Sequence, residues 1–153
     1  EPLPRETLDK MLAAKNFQSA MGMMRQLEFS LFDMRLHAEY REGLSIQQVL
    51  DEVREQVSVI KPPAFNRFQN GFGHIFAGGY AAGYYSYKWA EVLSCDAYAR
   101  FEEEGPFNEA TGRDFREKIL ARGGSREPME LFVDFRGREP SVEPLLRHSG
   151  IEG

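Results

Sequence analysis

The sequence has one cysteine, Cys95, among 153 residues. That excludes an internal disulfide and makes a reduced, cytosolic setting the natural reading. Positive charge is also scarce: 19 Lys and Arg stand against 24 Asp and Glu, for a formal net charge of −5. A nucleic-acid binder needs a basic patch to meet the phosphates, so nucleic acid is not an expected partner. Histidines are few. His37, His74 and His148 each lack a second His or Cys at a ligand spacing such as i+4. His37 and Glu39 fall on different faces of a helix, so no self-contained metal site is expected. Cys95 has Asp96 but no His beside it and reads as a small buried residue. Gly71-Phe72-Gly73 has Phe76 where a dinucleotide fingerprint needs glycine, and no strand precedes it.

Long hydrophobic runs are missing too. Phe68 to Tyr87 carries no Lys, Arg, Asp or Glu and is about long enough to span a bilayer. It holds Gln69, Asn70, His74, Ser86 and five glycines, however. A glycine inside a helix costs about 1 kcal/mol, so a membrane span is not expected. The spacing of Gly79 and Gly83 is a weak helix-pairing signal by itself. The chain opens Glu1-Pro2-Leu3-Pro4, with no Met, basic start or apolar signal segment. It therefore reads as a processed chain or a piece of a longer one.

What is present is helical periodicity. Glu6 to Asn16 predicts a short amphipathic helix opened by Pro4. Phe17, Ala20, Met24, Leu27, Leu31, Met34 and Ala38 recur at spacings of three and four, and Phe29, Phe32 and Leu36 add a second apolar face. The Met21, Met23 and Met24 run reads as core filling. Ser45 with Gln48 has capping-box spacing, Leu44 and Val49 can form the hydrophobic staple, and Pro62-Pro63 bars continuation beyond about Val57. Phe65 to Gly79 has no settled period and reads as a loop. A long helix should run from about Ala81 to Glu104, closed by Gly105-Pro106. Thr111 with Asp114 predicts the next helix, closed by Gly123-Gly124. Ser125 is expected to cap another, with Pro128 in its first turn and an end near Gly137, before a last turn after Pro140 and Pro144. The Glu102-Glu103-Glu104 run reads as a solvated face. No alternating strand of convincing length, repeat or internal linker is visible. The expected fold is all-α: a single helical unit over residues 1–153, an irregular bundle with a Gly/Tyr-rich loop between its third and fourth helices.

The Gly/Tyr stretch carries the chemistry. On a helix, Tyr80, Tyr84 and Tyr87 stand at i, i+4 and i+7 and share one face. Tyr85, Trp89 and Val92 share another, which looks like ordinary core. Three phenols on one face need three partners if buried, because an unpaired hydroxyl is costly away from water. A wet cleft relieves that demand. The pattern leaves core and ligand cleft both open, and the glycine-rich loop before the helix tilts it toward a cleft.

The string from Phe68 to Trp89, FQNGFGHIFAGGYAAGYYSYKW, resembles the C-terminal signature of the thimet oligopeptidase family of zinc metallopeptidases. The likeness continues through Ala90-Glu91-Val92-Leu93, Arg122-Gly123-Gly124-Ser125 and Phe135-Arg136-Gly137-Arg138-Glu139-Pro140, and includes Arg25-Gln26-Leu27-Glu28-Phe29. It covers essentially the whole chain. The family holds its zinc with an HExxH helix and a Glu on a following helix, and neither occurs here. The resemblance implies that these elements lie upstream and that the chain is the C-terminal part of the catalytic domain.

By that resemblance, zinc and the HExxH glutamate activate a water that attacks the scissile carbonyl of a short peptide. His74, Tyr80 and Tyr87 match the family's catalytic donors that face the substrate. Tyr84 matches a further cleft-lining Tyr, and Gly78 and Gly79 belong to the substrate-binding loop. The implied cofactor is zinc in the parent enzyme, with none bound by this piece, and the piece alone is expected to be inactive. Its implied partners are short peptides and the N-terminal remainder of the same enzyme. The rival reading is a non-enzymatic helical interaction module that docks through its Met/Phe and Tyr faces. A helix apolar on two sides also predicts self-association of the isolated chain, or mobility in Phe65 to Gly79.

Overall fold

The computed structural model describes residues 2–151. Every regular element among them is helical, as the periodicity predicts. The helices are α1 (Arg5–Ala14), α2 (Ser19–Glu39), α3 (Ile46–Val57), a single turn α4 (Gly73–Phe76), α5 (Ser86–Glu104), α6 (Glu109–Phe115), α7 (Pro128–Arg136) and α8 (Glu143–His148). A 3-10 turn, Phe68–Gly71, precedes α4, and a π-type turn, Arg116–Leu120, follows α6. None of these helices is long and apolar enough to cross a membrane. The sequence reads as one helical unit; the structure groups into two, residues 1–88 and 89–153.

In the first unit, α2 packs on α3. The core is Phe29, Phe32 and Leu36 from α2 with Val49, Leu50 and Val53 from α3. Phe32 is fully buried, a burial that stabilises by about 1.5–3 kcal/mol. Ser45 caps α3, its Oγ accepting the Gln48 amide at 3.5 Å, and Leu44 packs against the same core. The segment from Phe65 to Gly79 differs from the expected loop. Phe72 and Ile75 belong to the core and Phe68 packs against it. Phe68 stacks on Phe29 with centroids 4.6 Å apart. Polar contacts hold the approach to this segment: the Arg54 guanidinium donates to Glu28 and to Asn66, each at 3.0 Å, and Asn66 Oδ1 accepts the Phe68 amide at 3.2 Å.

The second unit is built on α5, with Val92, Ala99, Leu131, Phe132, Phe135 and Leu145 buried. Asn108 caps α6, accepting the Ala110 amide at 2.9 Å. This corrects the expectation that Thr111 opens the helix. Thr111 is buried and donates its hydroxyl to Glu104 instead. Glu127, not Ser125, is the N-cap of α7; Pro128 takes the first helical position and Gly137 ends the helix in the left-handed region at φ 80°. Asp96 is the polar centre. It accepts Nε of Arg136 at 3.0 Å, both terminal nitrogens of Arg138 at 2.6 Å and the Ser141 amide at 2.8 Å.

Two further corrections concern the Gly/Tyr region. The long helix starts at Ser86, not near Ala81, because residues 81–85 form a turn. Tyr85 and Trp89 are both half exposed, so of the expected core face only Val92 is buried.

Candidate functional site

The site lies in the first unit, where the chain passes from α4 into α5. Its frame is backbone. The Ala77 amide closes α4 on the Gly73 carbonyl at 2.8 Å, and the Tyr80 amide reaches back to the His74 carbonyl at 3.0 Å. This fold-back brings Gly78 hard against the α4 turn. A Cβ there would stand 3.0 Å from both Cα and O of His74, so no larger residue fits without moving the His74 backbone. Gly79 sits at φ 80°, in the left-handed region that glycine adopts without strain. The two glycines called from the sequence thus shape the connection that carries His74 and Tyr80.

Four rings converge on that frame. His74 lies 6.3 Å from Tyr80, 5.7 Å from Tyr84 and 6.2 Å from Tyr87, centroid to centroid. Tyr80 and Tyr87 are 4.9 Å apart, and Tyr84 and Tyr87 5.1 Å apart. All four candidate side chains read from the sequence therefore meet, although Tyr80 and Tyr84 stand outside the helix that was to align the phenols. Their exposure differs. Tyr80 and Tyr87 keep 37% and 38% of their surface in solvent, and His74 is exposed. Tyr84 is 7% exposed. It packs edge-on to Phe29 and Phe72 and donates its hydroxyl to Gln26 Oε1 at 3.0 Å. Tyr84 is the floor of the cluster, and Tyr80, Tyr87 and His74 are its open side.

Tyr84 and Tyr87 are held in the donor form. The hydrogen bond shared with Tyr80, then burial, then repulsion from the neighbouring phenolates push the Tyr87 hydroxyl up to about 12. Burial also pushes the Tyr84 phenol up, against a smaller opposing pull from Arg25. At neutral pH these hydroxyls keep their protons. In Tyr80→Phe, Tyr87 is expected to titrate lower, back toward the ordinary phenol value of about 10. NMR titration of ring-labelled tyrosine checks this, and an unmoved Tyr87 resonance would show that Tyr80 is not its partner.

Two residues that support the cluster escaped the sequence reading. Gln26 fixes the Tyr84 hydroxyl. Asp33, fully buried on α2, accepts the Ala82 and Tyr84 amides at 2.9 Å each. A readable signal was there: Asp33 stands four residues after Phe29 on the apolar face of α2. Metal ligands do not gather here. Among the described residues no group of three or more His, Cys, Asp or Glu is placed to hold an ion.

Comparison with known proteins gives the context. Residues 1–151 match the family model described as Peptidase family M3. The chain belongs to that family. Over 155 residues it is 61% identical to oligopeptidase A of Salmonella typhimurium and 60% identical to oligopeptidase A of Escherichia coli, in each case over 100% of this chain and 23% of the relative. It is 34% identical to saccharolysin of Saccharomyces cerevisiae, over 99% of this chain and 22% of that protein. This M3 chain thus spans about a quarter of the length of the relatives it matches. The same match covers the ring cluster and both units.

Proposed function

We propose that the chain is the C-terminal portion of a cytoplasmic zinc oligopeptidase of family M3, which cleaves short peptides. Its part is to supply one wall of the peptide cleft and donors for the reacting carbonyl. The observation that supports this most directly is the convergence of His74, Tyr80 and Tyr87 on an exposed patch floored by Tyr84. Peptide hydrolysis builds negative charge on the scissile carbonyl oxygen. Donors fixed in advance at that position lower the barrier because they need no reorganisation when the charge appears. Tyr80 and Tyr87 stand 4.9 Å apart, centroid to centroid, and both reach solvent, which supports a pair of phenols that donate outward. Gly78 lets the connection fold tightly on α4, and Gly79, with open space where a Cβ would stand, lets the backbone pass close to a bound peptide; a grip on backbone groups suits peptides of varied sequence.

Among the described residues, no His, Cys, Asp and Glu side chains gather to hold a metal ion. In this reading zinc belongs to the remainder of the enzyme, which is also this chain's partner. Two measurements test the proposal. The gene upstream of this chain should encode an in-frame HExxH, and the whole protein should cleave short peptides. The 153-residue chain alone should carry no stoichiometric zinc by elemental analysis and hydrolyse nothing. One tight zinc per isolated chain, with peptidase activity, would overturn the assignment of roles.

A further inference from the structure

We infer that Asp33 is a positioning residue for the donor cluster: its buried carboxylate holds the turn at residues 81–85 that sets Tyr80 against Tyr87. This rests on the donor role proposed above but assigns a residue to which that role gives no part. Asp33 Oδ1 accepts the Ala82 amide and Oδ2 the Tyr84 amide, both at 2.9 Å. Each carboxylate oxygen thus takes one amide of the same turn, from a helix about fifty residues upstream. Between those amides the Gly83 amide closes on the Tyr80 carbonyl at 2.9 Å. The turn contains Ala82 at φ 53°. Residues with a Cβ rarely adopt that conformation, which persists only when the surroundings impose it. Charge-assisted hydrogen bonds to a dry carboxylate are strong enough to do so. His37 Nδ1 lies 2.9 Å from Asp33 Oδ1 and 2.8 Å from the Asp33 carbonyl, steadying the carboxylate from its own helix. The Phe29 and Phe72 contacts of Tyr84 fix only a ring. The carboxylate fixes the backbone from which the phenols project.

The test is Asp33→Asn in the full-length enzyme. The amide keeps the shape but turns a donor toward one of the two N–H groups. Hydrogen exchange at the Ala82 and Tyr84 amides should quicken, and Tyr87 should titrate below about 12. The kcat for a short peptide should fall about 10- to 100-fold with KM little changed, because misplaced donors are felt in the transition state. Asp33→Asn with Ala82→Gly should recover part of each effect, since glycine accepts the same φ without strain. If exchange at those amides and the Tyr87 titration match the wild type, the inference is wrong. If both change while Tyr87→Phe leaves kcat/KM intact, Asp33 still positions the turn and the donor role is what fails. Should Asp33→Asn not fold, the double variant decides: recovery of folding and of the Tyr87 titration supports the inference, and failure to fold in that background also overturns it.

Discussion

Replacing Tyr87 by Phe in the full-length enzyme is expected to lower kcat/KM for a short peptide by about 100-fold, the usual loss when one donor to a developing oxyanion is removed. That is about 2.7 kcal/mol of transition-state stabilisation. The fall should lie in kcat, with KM nearly unchanged, because the interaction strengthens only as charge develops. Phe keeps the ring contacts to Tyr80, Tyr84 and His74, so packing is preserved and only the hydroxyl is lost. The closeness of the Tyr87 and Tyr80 rings, 4.9 Å apart, makes a second outcome specific. Losses from Tyr80→Phe and Tyr87→Phe should not add in the double variant, since either change breaks the same pair. Steady-state kinetics of the three variants decide it. An unchanged kcat/KM for Tyr87→Phe removes the donor role, and strict additivity removes the coupling.

The second large effect concerns stability. Asp96→Ala should destabilise the protein by about 3–5 kcal/mol, the range found when one partner of a buried charge network is deleted. Asp96 is fully buried, and Arg136, whose side chain is 8% exposed, would lose its buried partner while keeping the more exposed Glu103. The pH dependence has a definite sign. Burial pushes the Asp96 carboxyl up, but hydrogen bonds from Arg138, the Ser141 amide and Arg136 outweigh it and hold the group below its ordinary value of 3.8. A carboxyl depressed in the folded state contributes its stabilisation above the unfolded value and loses it as pH falls through the folded one. The gap between wild type and Asp96→Ala should therefore persist from neutral pH down to about 4 and narrow below that. Urea unfolding followed by circular dichroism at several pH values measures both. Equal stability at pH 7 would show that the network contributes little.

The helices were legible where their ends are decided locally. Ser45 with Gln48 marks the start of α3, and Gly105-Pro106 follows the end of α5 at Glu104. Gly137 closes α7 by a conformation that favours glycine. The start of α5 was not legible. Residues 81–85 have helical propensity, yet two of their amides bond to Asp33, so tertiary structure overrides local preference. The same limit applies at α6, where Asn108 outcompetes Thr111 because Thr111 is drawn inward to Glu104. For the site, residue types and spacing brought His74, Tyr80, Tyr84 and Tyr87 forward together. They could not separate the buried Tyr84 from the exposed Tyr80 and Tyr87, because that depends on Gln26, Phe29 and Phe72 packing over one ring and not the others. Tyr85 and Trp89 failed as core for the complementary reason: an aromatic at helical spacing is buried only if something covers it.

The dependence of residues 81–85 on α2 sets a condition for anyone moving this element into another scaffold. The string from Gly73 to Tyr87 does not encode its own shape. A transplant that carries the glycines and phenols but leaves behind Asp33, Phe29 and Gln26 delivers the right functional groups on a chain free to rewind into a longer helix. The portable unit is therefore discontinuous, a short patch of one helix together with a loop that follows about fifty residues later.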